Sequence, residues 1–492
     1  MAARAIAAGL LLLLLAGAAG AAGAAGEDVE DPIGGFEDEA GSGDETRPDD
    51  LGGFDDEEAV PERPAPGSHP LRGESWELTG SLGLAGSVNL LPHRSVAGDT
   101  DYQGLSKLRS RLNLQLDLEL PWEWELRAAG FAYYDWAYRI RGRSDYTSGV
   151  LRKYEWDADT QDFWLRGTPI ERFDVKLGRQ VVSWGRSESL RVLDVLNPLD
   201  NREPGIADIE DLRRAVTMGR FDYYLGDWNL SLVAIPEIRF HQNPPPGSDF
   251  NPTPDPILAP PPAPPVPLEI VERKPDSLEH WEAGVALTGI FEGWDVSFHG
   301  AYFYDDQAVL QSTAPLMLGE PGILQHNRLW LVGSGGNYTL GSWLLKGEIA
   351  FVDGLGFTDA SNRSRLDVMA GVEYYGFTDT TVSLEALNRH VFDFPATPSV
   401  GSVASVAQED ATSGAIRVTR SFFRERLDAT LVAVLISGDD DVGSVVRIDA
   451  AYDLREAVVL TAGFVLYQES DLPPLSTYGD NDRFFFELKY SF

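Results

Sequence analysis

Residues Arg111-Leu112-Asn113-Leu114-Gln115-Leu116-Asp117-Leu118-Glu119-Leu120 alternate a polar residue with leucine without a break. In a β-strand successive side chains point to opposite faces, so this period of two gives one wet face and one all-leucine face. Working outward, the same pattern recurs in Phe173-Asp174-Val175-Lys176-Leu177, Trp228-Asn229-Leu230-Ser231-Leu232 and Trp294-Asp295-Val296-Ser297-Phe298. The body of the chain therefore reads as all-β.

The strands come in pairs. Tight turns are expected at Pro121–Glu123, Thr168–Arg172, Gly226-Asp227, Glu292-Gly293, Leu340–Ser342, Phe377–Asp379, Phe423–Arg426 and Asp453–Glu456. Longer polar segments separate the pairs, at 92–105, 142–157, 181–213, 241–277, 307–325, 355–363, 393–410 and 470–480, with a short one near 439–442. Short connections on one side and long ones on the other are the asymmetry of an outer-membrane barrel. Eight turns plus a strand at each end predict a transmembrane antiparallel β-barrel of about 18 strands over residues 73–492, with 16 as the alternative count. Closure matters because every backbone N–H and C=O facing hydrocarbon needs an internal partner. Aromatics at the strand ends, Trp122, Trp124, Tyr138, Trp164, Trp228, Trp281, Trp294, Trp330 and Trp343, fit the girdles such barrels carry at the water–lipid boundary.

Composition narrows the function. Among 492 residues, 40 Lys and Arg against 77 Asp and Glu leave a formal net charge of −37, and there is no Cys. No basic surface for phosphates is expected, so nucleic acid is not a partner. Disulfide scaffolds, thiolate metal sites and cysteine nucleophiles are excluded. The seven His fall in no metal-binding spacing, and no Gly-x-Ser-x-Gly elbow is present. The sequence thus calls for no catalytic residues, no metal and no cofactor, and it is not read as an enzyme.

Residues 1–26 read as a secretory signal: Arg4, the apolar run Leu10–Leu15, then small residues that offer cleavage sites. Residues 27–72 carry 16 Asp or Glu and three Arg, too few aliphatics to offset ordering entropy, and are expected to be a disordered periplasmic tail. It holds a near-repeat, Ile33-Gly34-Gly35-Phe36-Glu37-Asp38-Glu39 and Leu51-Gly52-Gly53-Phe54-Asp55-Asp56-Glu57. Phe36 and Phe54 are candidate docking residues for a periplasmic transport partner, two weak motifs gaining by linkage. Residues 244–267 hold 12 Pro and read as an extended external loop.

At the other end, Phe484, Phe486, Leu488, Tyr490 and Phe492 share one face. This resembles the terminal strand of bacterial outer-membrane proteins, which implies that Tyr490 and Phe492 form the signal read by the barrel-assembly machinery.

One segment departs from the strand pattern. Gly178-Arg179-Gln180, Trp184-Gly185-Arg186, Asp194-Val195-Leu196-Asn197-Pro198-Leu199-Asp200-Asn201-Arg202-Glu203 and Ile209–Arg214 crowd charge, Trp and Asn-Pro into one connection. Ser187–Leu196 is a candidate short helix. Arg179, Arg186, Arg191, Arg202, Arg213 and Arg214 are set against Asp194, Asp200, Glu203, Asp208, Glu210 and Asp211. A long connection this rich in paired charge suits a polar lumen, so residues 181–213 are expected to fold inward and narrow the pore. The constriction residues would be Arg179, Trp184, Arg186, Asp194, Asn197, Asp200, Arg202 and Glu203.

The series Gly-Arg-Gln, Trp-Gly, Asp-x-x-Asn-Pro-x-Asp-x-Arg resembles a family of proteobacterial outer-membrane β-barrels linked to periplasmic lipid-binding proteins and to resistance-nodulation-division type exporters of hydrophobic molecules. The matching positions are Gly178, Arg179, Gln180, Trp184, Gly185, Asp194, Asn197, Pro198, Asp200, Arg202 and Glu203. The resemblance implies residence in the outer membrane, among its lipids and lipopolysaccharide, and a conduit for small or hydrophobic molecules. The alternatives are a general, cation-preferring porin and a structural or adhesive surface barrel.

Overall fold

A computed structural model describes residues 70–92, 100–251, 270–275, 279–395, 408–437, 441–472 and 475–492. The expected signal segment, both Phe docking candidates and all of the acidic tail but its last three residues lie outside the described residues, as does most of the proline-rich loop.

The 18 barrel strands are β1 (Trp76–Asn89), β2 (Gly104–Leu120), β3 (Trp124–Asp135), β4 (Trp156–Ile170), β5 (Phe173–Gln180), β6 (Val216–Leu225), β7 (Trp228–Ile235), β8 (Glu282–Phe291), β9 (Trp294–Tyr304), β10 (Arg328–Leu340), β11 (Trp343–Leu355), β12 (Arg363–Phe377), β13 (Thr380–Val391), β14 (Asp410–Phe422), β15 (Leu427–Ser437), β16 (Val442–Arg455), β17 (Val458–Gln468) and β18 (Arg483–Ser491). Each pairs antiparallel with its neighbour in sequence. The cylinder closes where β1 meets β18, from Ser81↔Ser491 to Asn89↔Arg483. Phe492 seals that seam, exchanging backbone hydrogen bonds with Gly80 at 2.9 Å each. A two-residue strand, Leu71–Arg72, pairs with β1. The last two residues of the segment expected to be tail are thus paired with the barrel. Outside the barrel, Ile270–Arg273, Val309–Leu310 and Gly322–Gln325 make a small sheet.

All eight expected turns join strands at one end. Left-handed backbone at Glu123, Arg172, Gly226, Gly293, Gly341, Asp379, Arg424 and Ala457 matches the twist of the strands they connect. The longer connections gather at the opposite end.

The alternation of β2 gives the inside and outside. Leu112, Leu114 and Leu120 are exposed on the outer face, while Asp117 pairs inward with Arg127 of β3 at 2.6 Å. Among the described residues, large exposed apolar side chains recur on the outer face of the strands. In water such a surface would be an aggregation site; around a closed sheet it is the face that meets lipid. Trp122, Trp294 and Trp343 ring the turn end, and Trp156, Trp281 and Trp330 the loop end. Two aromatics expected there are elsewhere. Trp164 is buried on the inner face, beneath Arg127 and Lys176. Tyr138 packs with Tyr102, Tyr146, Val150 and Tyr154 at the outer mouth.

The interior is not uniformly polar. Between β8 and β13 it is lined by Ala286, Ala301, Leu331, Ala350, Met369 and Leu387, all buried. What covers them is the segment between β5 and β6.

Candidate functional site: a charged segment across the barrel

Residues 181–213 leave β5 and run through the interior instead of over the rim. Val182, Trp184, Leu190, Val192, Leu193 and Leu196 pack on the apolar lining of β8 to β13 in one core cluster. Burial of these side chains supplies the bulk attraction, at roughly 1.5–3 kcal/mol each. The Trp184 ring lies 4.8 Å from the ring of His299 on β9. Gly284 leaves room for it, since a Cβ there would come within 2.5 Å of the indole.

Wall carboxylates then hold the backbone. Glu348 of β11 accepts the N–H groups of Arg186, of Ser187 at 2.9 Å and of Leu193 at 3.1 Å. Glu385 of β13 accepts the Ser187 hydroxyl at 2.7 Å and the N–H groups of Glu188 at 2.9 Å and Ser189 at 3.2 Å. This is why the helix expected over Ser187–Leu196 does not form. The Leu193 N–H, which would bond within such a helix, donates to Glu348 instead, and the segment's apolar side chains spread over the lining of β8 to β13. Gly185 has φ +106°, and a Cβ there would sit 2.9 Å from the Glu348 carboxylate. A close approach in left-handed backbone requires glycine.

The remaining candidates sort by partner. Arg186 donates to Asp295 of β9 at 2.9 Å. Asp194 takes Arg191 at 3.1 Å and Arg213 at 3.0 Å, folding the segment on itself. Asn197, fully buried, accepts from the Val182 N–H at 2.8 Å and donates to the carbonyls of Gln180 and Arg214. It ties the start of the segment to its end, and Pro198 follows where a helix could not. Asp200 receives Arg202 in a two-pronged pair, and Arg202 also reaches Tyr133 of β3 at 3.3 Å and Asp157 of β4 at 2.8 Å. Glu203 pairs with Lys107 and Arg109 of β2, the latter at 2.9 Å. Asp208 pairs with Arg417 of β14 at 3.1 Å and Arg447 of β16 at 2.7 Å. The Tyr467 hydroxyl of β17 donates to the Pro204 carbonyl at 2.6 Å. Strands β2, β3, β9, β11, β13, β14, β16 and β17 are thus all bonded to one segment, which places it across the lumen.

Burial alone would raise the pKa of Glu203, but Arg109 and Lys107 hold it well below the carboxylate range. Burial opposes ionisation of Asp208 too, and Arg447 and Arg417 overcome it. His241 accepts the Leu199 N–H at 2.9 Å. Burial, with Arg191 and Arg214 nearby, lowers its pKa to about 3, so it stays neutral and able to accept.

Of the eight candidate constriction residues, seven lie in this segment. Arg179 does not. It sits in β5 with Asp159 at 3.2 Å and Glu237, in the wall. The partners that sequence reasoning missed are wall charges: Lys107, Arg109, Asp295, Glu348, Glu385, Arg417 and Arg447. Their signal was present as charges in inward phase, such as Lys107 and Arg109 two residues apart. The proline-rich loop also differs from the expectation over its described part. Phe250 is buried against Tyr467 and Tyr478, and Asp249 pairs with Arg483 at 3.1 Å, so 244–251 folds into the mouth. Tyr490 is exposed on the outer face near Phe492.

A closed 18-strand barrel with an apolar outer face and two aromatic rings is an outer-membrane architecture, and the protein is one of the cell outer membrane. Two solved structures share the fold. OccAB1 of Acinetobacter baumannii aligns with a TM-score of 0.50 at 9% identity, covering 85% of this chain and 96% of that one. OccK9 (OpdG) of Pseudomonas aeruginosa gives 0.50 at 11% identity, covering 85% and 97%. The outer membrane protein opdK of Pseudomonas aeruginosa gives 0.48 at 11% identity, covering 85% and 99%. No curated protein matches the sequence. The family described as "Protein of unknown function (DUF1302)" matches over residues 2–492, and the chain belongs to that family.

Proposed function

We propose that the protein is an outer-membrane conduit for small or hydrophobic molecules whose bore is set by residues 181–213. The observation that carries this reading is the bonding of one segment to strands on every side of the lumen, through Arg186–Asp295, Glu203–Arg109 and Asp208–Arg447. A barrel that served only as a surface scaffold would not need its interior divided by buried charge, which is expensive unless paired. The acidic tail recruits a periplasmic transport partner through Phe36 and Phe54. Tyr490 and Phe492 present the chain to the barrel-assembly machinery. The link to exporters of hydrophobic molecules rests on the motif resemblance.

Planar-bilayer conductance of the full chain tests the bore. Small currents are expected, rising severalfold when Glu348→Gln and Glu385→Gln together release the segment. Large, cation-selective currents already present in the unaltered protein would instead establish the general porin. For the tail, Phe36→Ala with Phe54→Ala should abolish capture of a periplasmic partner by the full chain.

A further inference from the structure

Strands β5 and β7 are only 8 residues long. A tilted strand needs about 9–11 residues to cross the hydrocarbon. The consequence falls on β4. It pairs with β3 from Trp156 onward, but with β5 no further up than Phe163↔Arg179. Residues Trp156–Asp162 therefore have a strand partner on one side only. An unpaired edge at membrane depth is tolerated only where protein or a cavity satisfies it.

Here an ion cluster closes it. Asp159 of β4 takes Arg179 at 3.2 Å, Arg214 at 3.4 Å and Arg239. Glu237 takes Arg179 and accepts the Thr217 N–H at 2.8 Å. Three guanidinium groups face two carboxylates.

Two cavities flank this edge, and they differ in chemistry. On the outer face a groove of about 520 Å³ is lined by Leu126, Phe163, Leu165 and Leu177, with Arg179 among its walls. Beside the inner face, where Asp157 pairs with Arg202, lies a cavity of about 400 Å³ lined by Arg152, Lys153, Arg202 and Asp157. The side chains of Arg152 and Lys153 make no hydrogen bond or ion pair among the described residues, and Asp157 is the acidic group that acts on Lys153. Burial lowers the pKa of Lys153, and Arg202, Arg214 and Lys274 push it the same way. Positive charge is in excess at this spot, in a chain of net charge −37.

We propose that the unpaired edge of β4 is a lateral portal for a single-chain anionic amphiphile, whose carboxylate or phosphate head is taken by the basic inner cavity and whose hydrocarbon tail is taken by the apolar outer groove. The pairs of Asp159 with Arg179 and Arg239 are its closed latch. This rests on the conduit reading and names the cargo and the side exit of that conduit. Charge complementarity selects the head, and the oily lining selects the tail.

The test is equilibrium binding to the full chain in non-ionic detergent, with palmitate, lysophosphatidic acid, hexadecanol and acetate as probes. Palmitate or lysophosphatidic acid should bind saturably, and the tighter of the two identifies the head group. Hexadecanol, which lacks the charge, and acetate, which lacks the tail, should bind at least about tenfold more weakly. Arg152→Glu with Lys153→Glu should weaken the anionic amphiphile about tenfold; those side chains are unpaired, so the barrel keeps its fold. Leu126→Trp, in the wall of the outer groove, should weaken it similarly without touching the basic residues. Equal binding of palmitate and hexadecanol, or binding unchanged in both variants, would overturn the portal. Bilayer conductance separates the two readings: a conducting protein that binds no anionic amphiphile removes the portal alone, and a silent one that binds palmitate retains the site and removes the conduit.

Discussion

Strand β2 and residues 181–213 are both rich in charge, but they use it differently. In β2 the charges alternate with leucine, and each side chain's environment follows from its parity. In 181–213 the charges follow no period, and each finds a partner far away in sequence: Ser187 meets Glu385, Glu203 meets Arg109, and Asp208 meets Arg447. The wall is thus built from local pattern plus closure. The crossing segment is built from long-range pairing against a wall that must already exist.

That contrast predicts a ranking of effects. The largest belongs to parity. Leu114→Arg places a cation on the lipid face and should cost about 2–4 kcal/mol if it sits at the bilayer midplane. Gln115→Arg, one residue away on the inner face, can keep the bond to Asp117 and should stay within about 1 kcal/mol of zero. Denaturant titration of the two variants in lipid gives the comparison, and equal costs would break it.

Next come the anchors of the segment. Glu348→Ala strips the acceptor from the N–H groups of Arg186, Ser187 and Leu193; Leu193 alone is fully buried, and its unsatisfied N–H should cost about 1–3 kcal/mol. The barrel should still fold, while limited proteolysis begins to cut within 184–194. Cleavage appearing first in the strands would contradict the division between wall and segment.

Packing comes third. Gly284→Ala pushes a methyl into the Trp184 indole and should cost about 1–3 kcal/mol as overpacking. Trp184→Ala in the same chain should recover part of that loss. A double-mutant cycle with no coupling would mean that the ring is not against β8.

The smallest effect is that of pH. Glu203 and Asp208 have folded pKa values below their ordinary 4.5 and 3.8. Their pairing is therefore at full strength above those ordinary values and is lost as pH falls below them toward the lowered ones. Conductance should rise modestly on acidification through that window and stay flat from neutral pH down to about 5. A rise centred near neutral pH would implicate other groups.

The uneven legibility of the chain has the same origin. The turn at Gly341 could be placed because glycine and flanking alternation are local signals, and so could the outer face of β2. The inward course of 181–213 was legible from charge density and Asn197-Pro198. Its conformation was not. A helix over Ser187–Leu196 is a fair expectation for the isolated peptide, and the distant Glu348, which takes the Leu193 N–H, replaces a hydrogen bond internal to it. Arg179 was grouped with the constriction because it stands beside the other motif residues in sequence. Its place in the wall follows from the shortness of β5, a length that the alternation of Phe173–Leu177 could not mark. Trp164 was assigned to the girdle as a strand-end aromatic. It lies inside because its phase is that of Arg127 and Lys176.

The most direct test of the central claim, that residues 181–213 cross the lumen bonded to the wall, is amide hydrogen exchange of the full chain in detergent. The N–H groups of Ser187, Glu188, Ser189 and Leu193 should be protected nearly as well as those of neighbouring strands. Glu348→Gln with Glu385→Gln should release them while the strands stay protected. Complete exchange of these four amides at the earliest time in the unaltered protein would contradict the account.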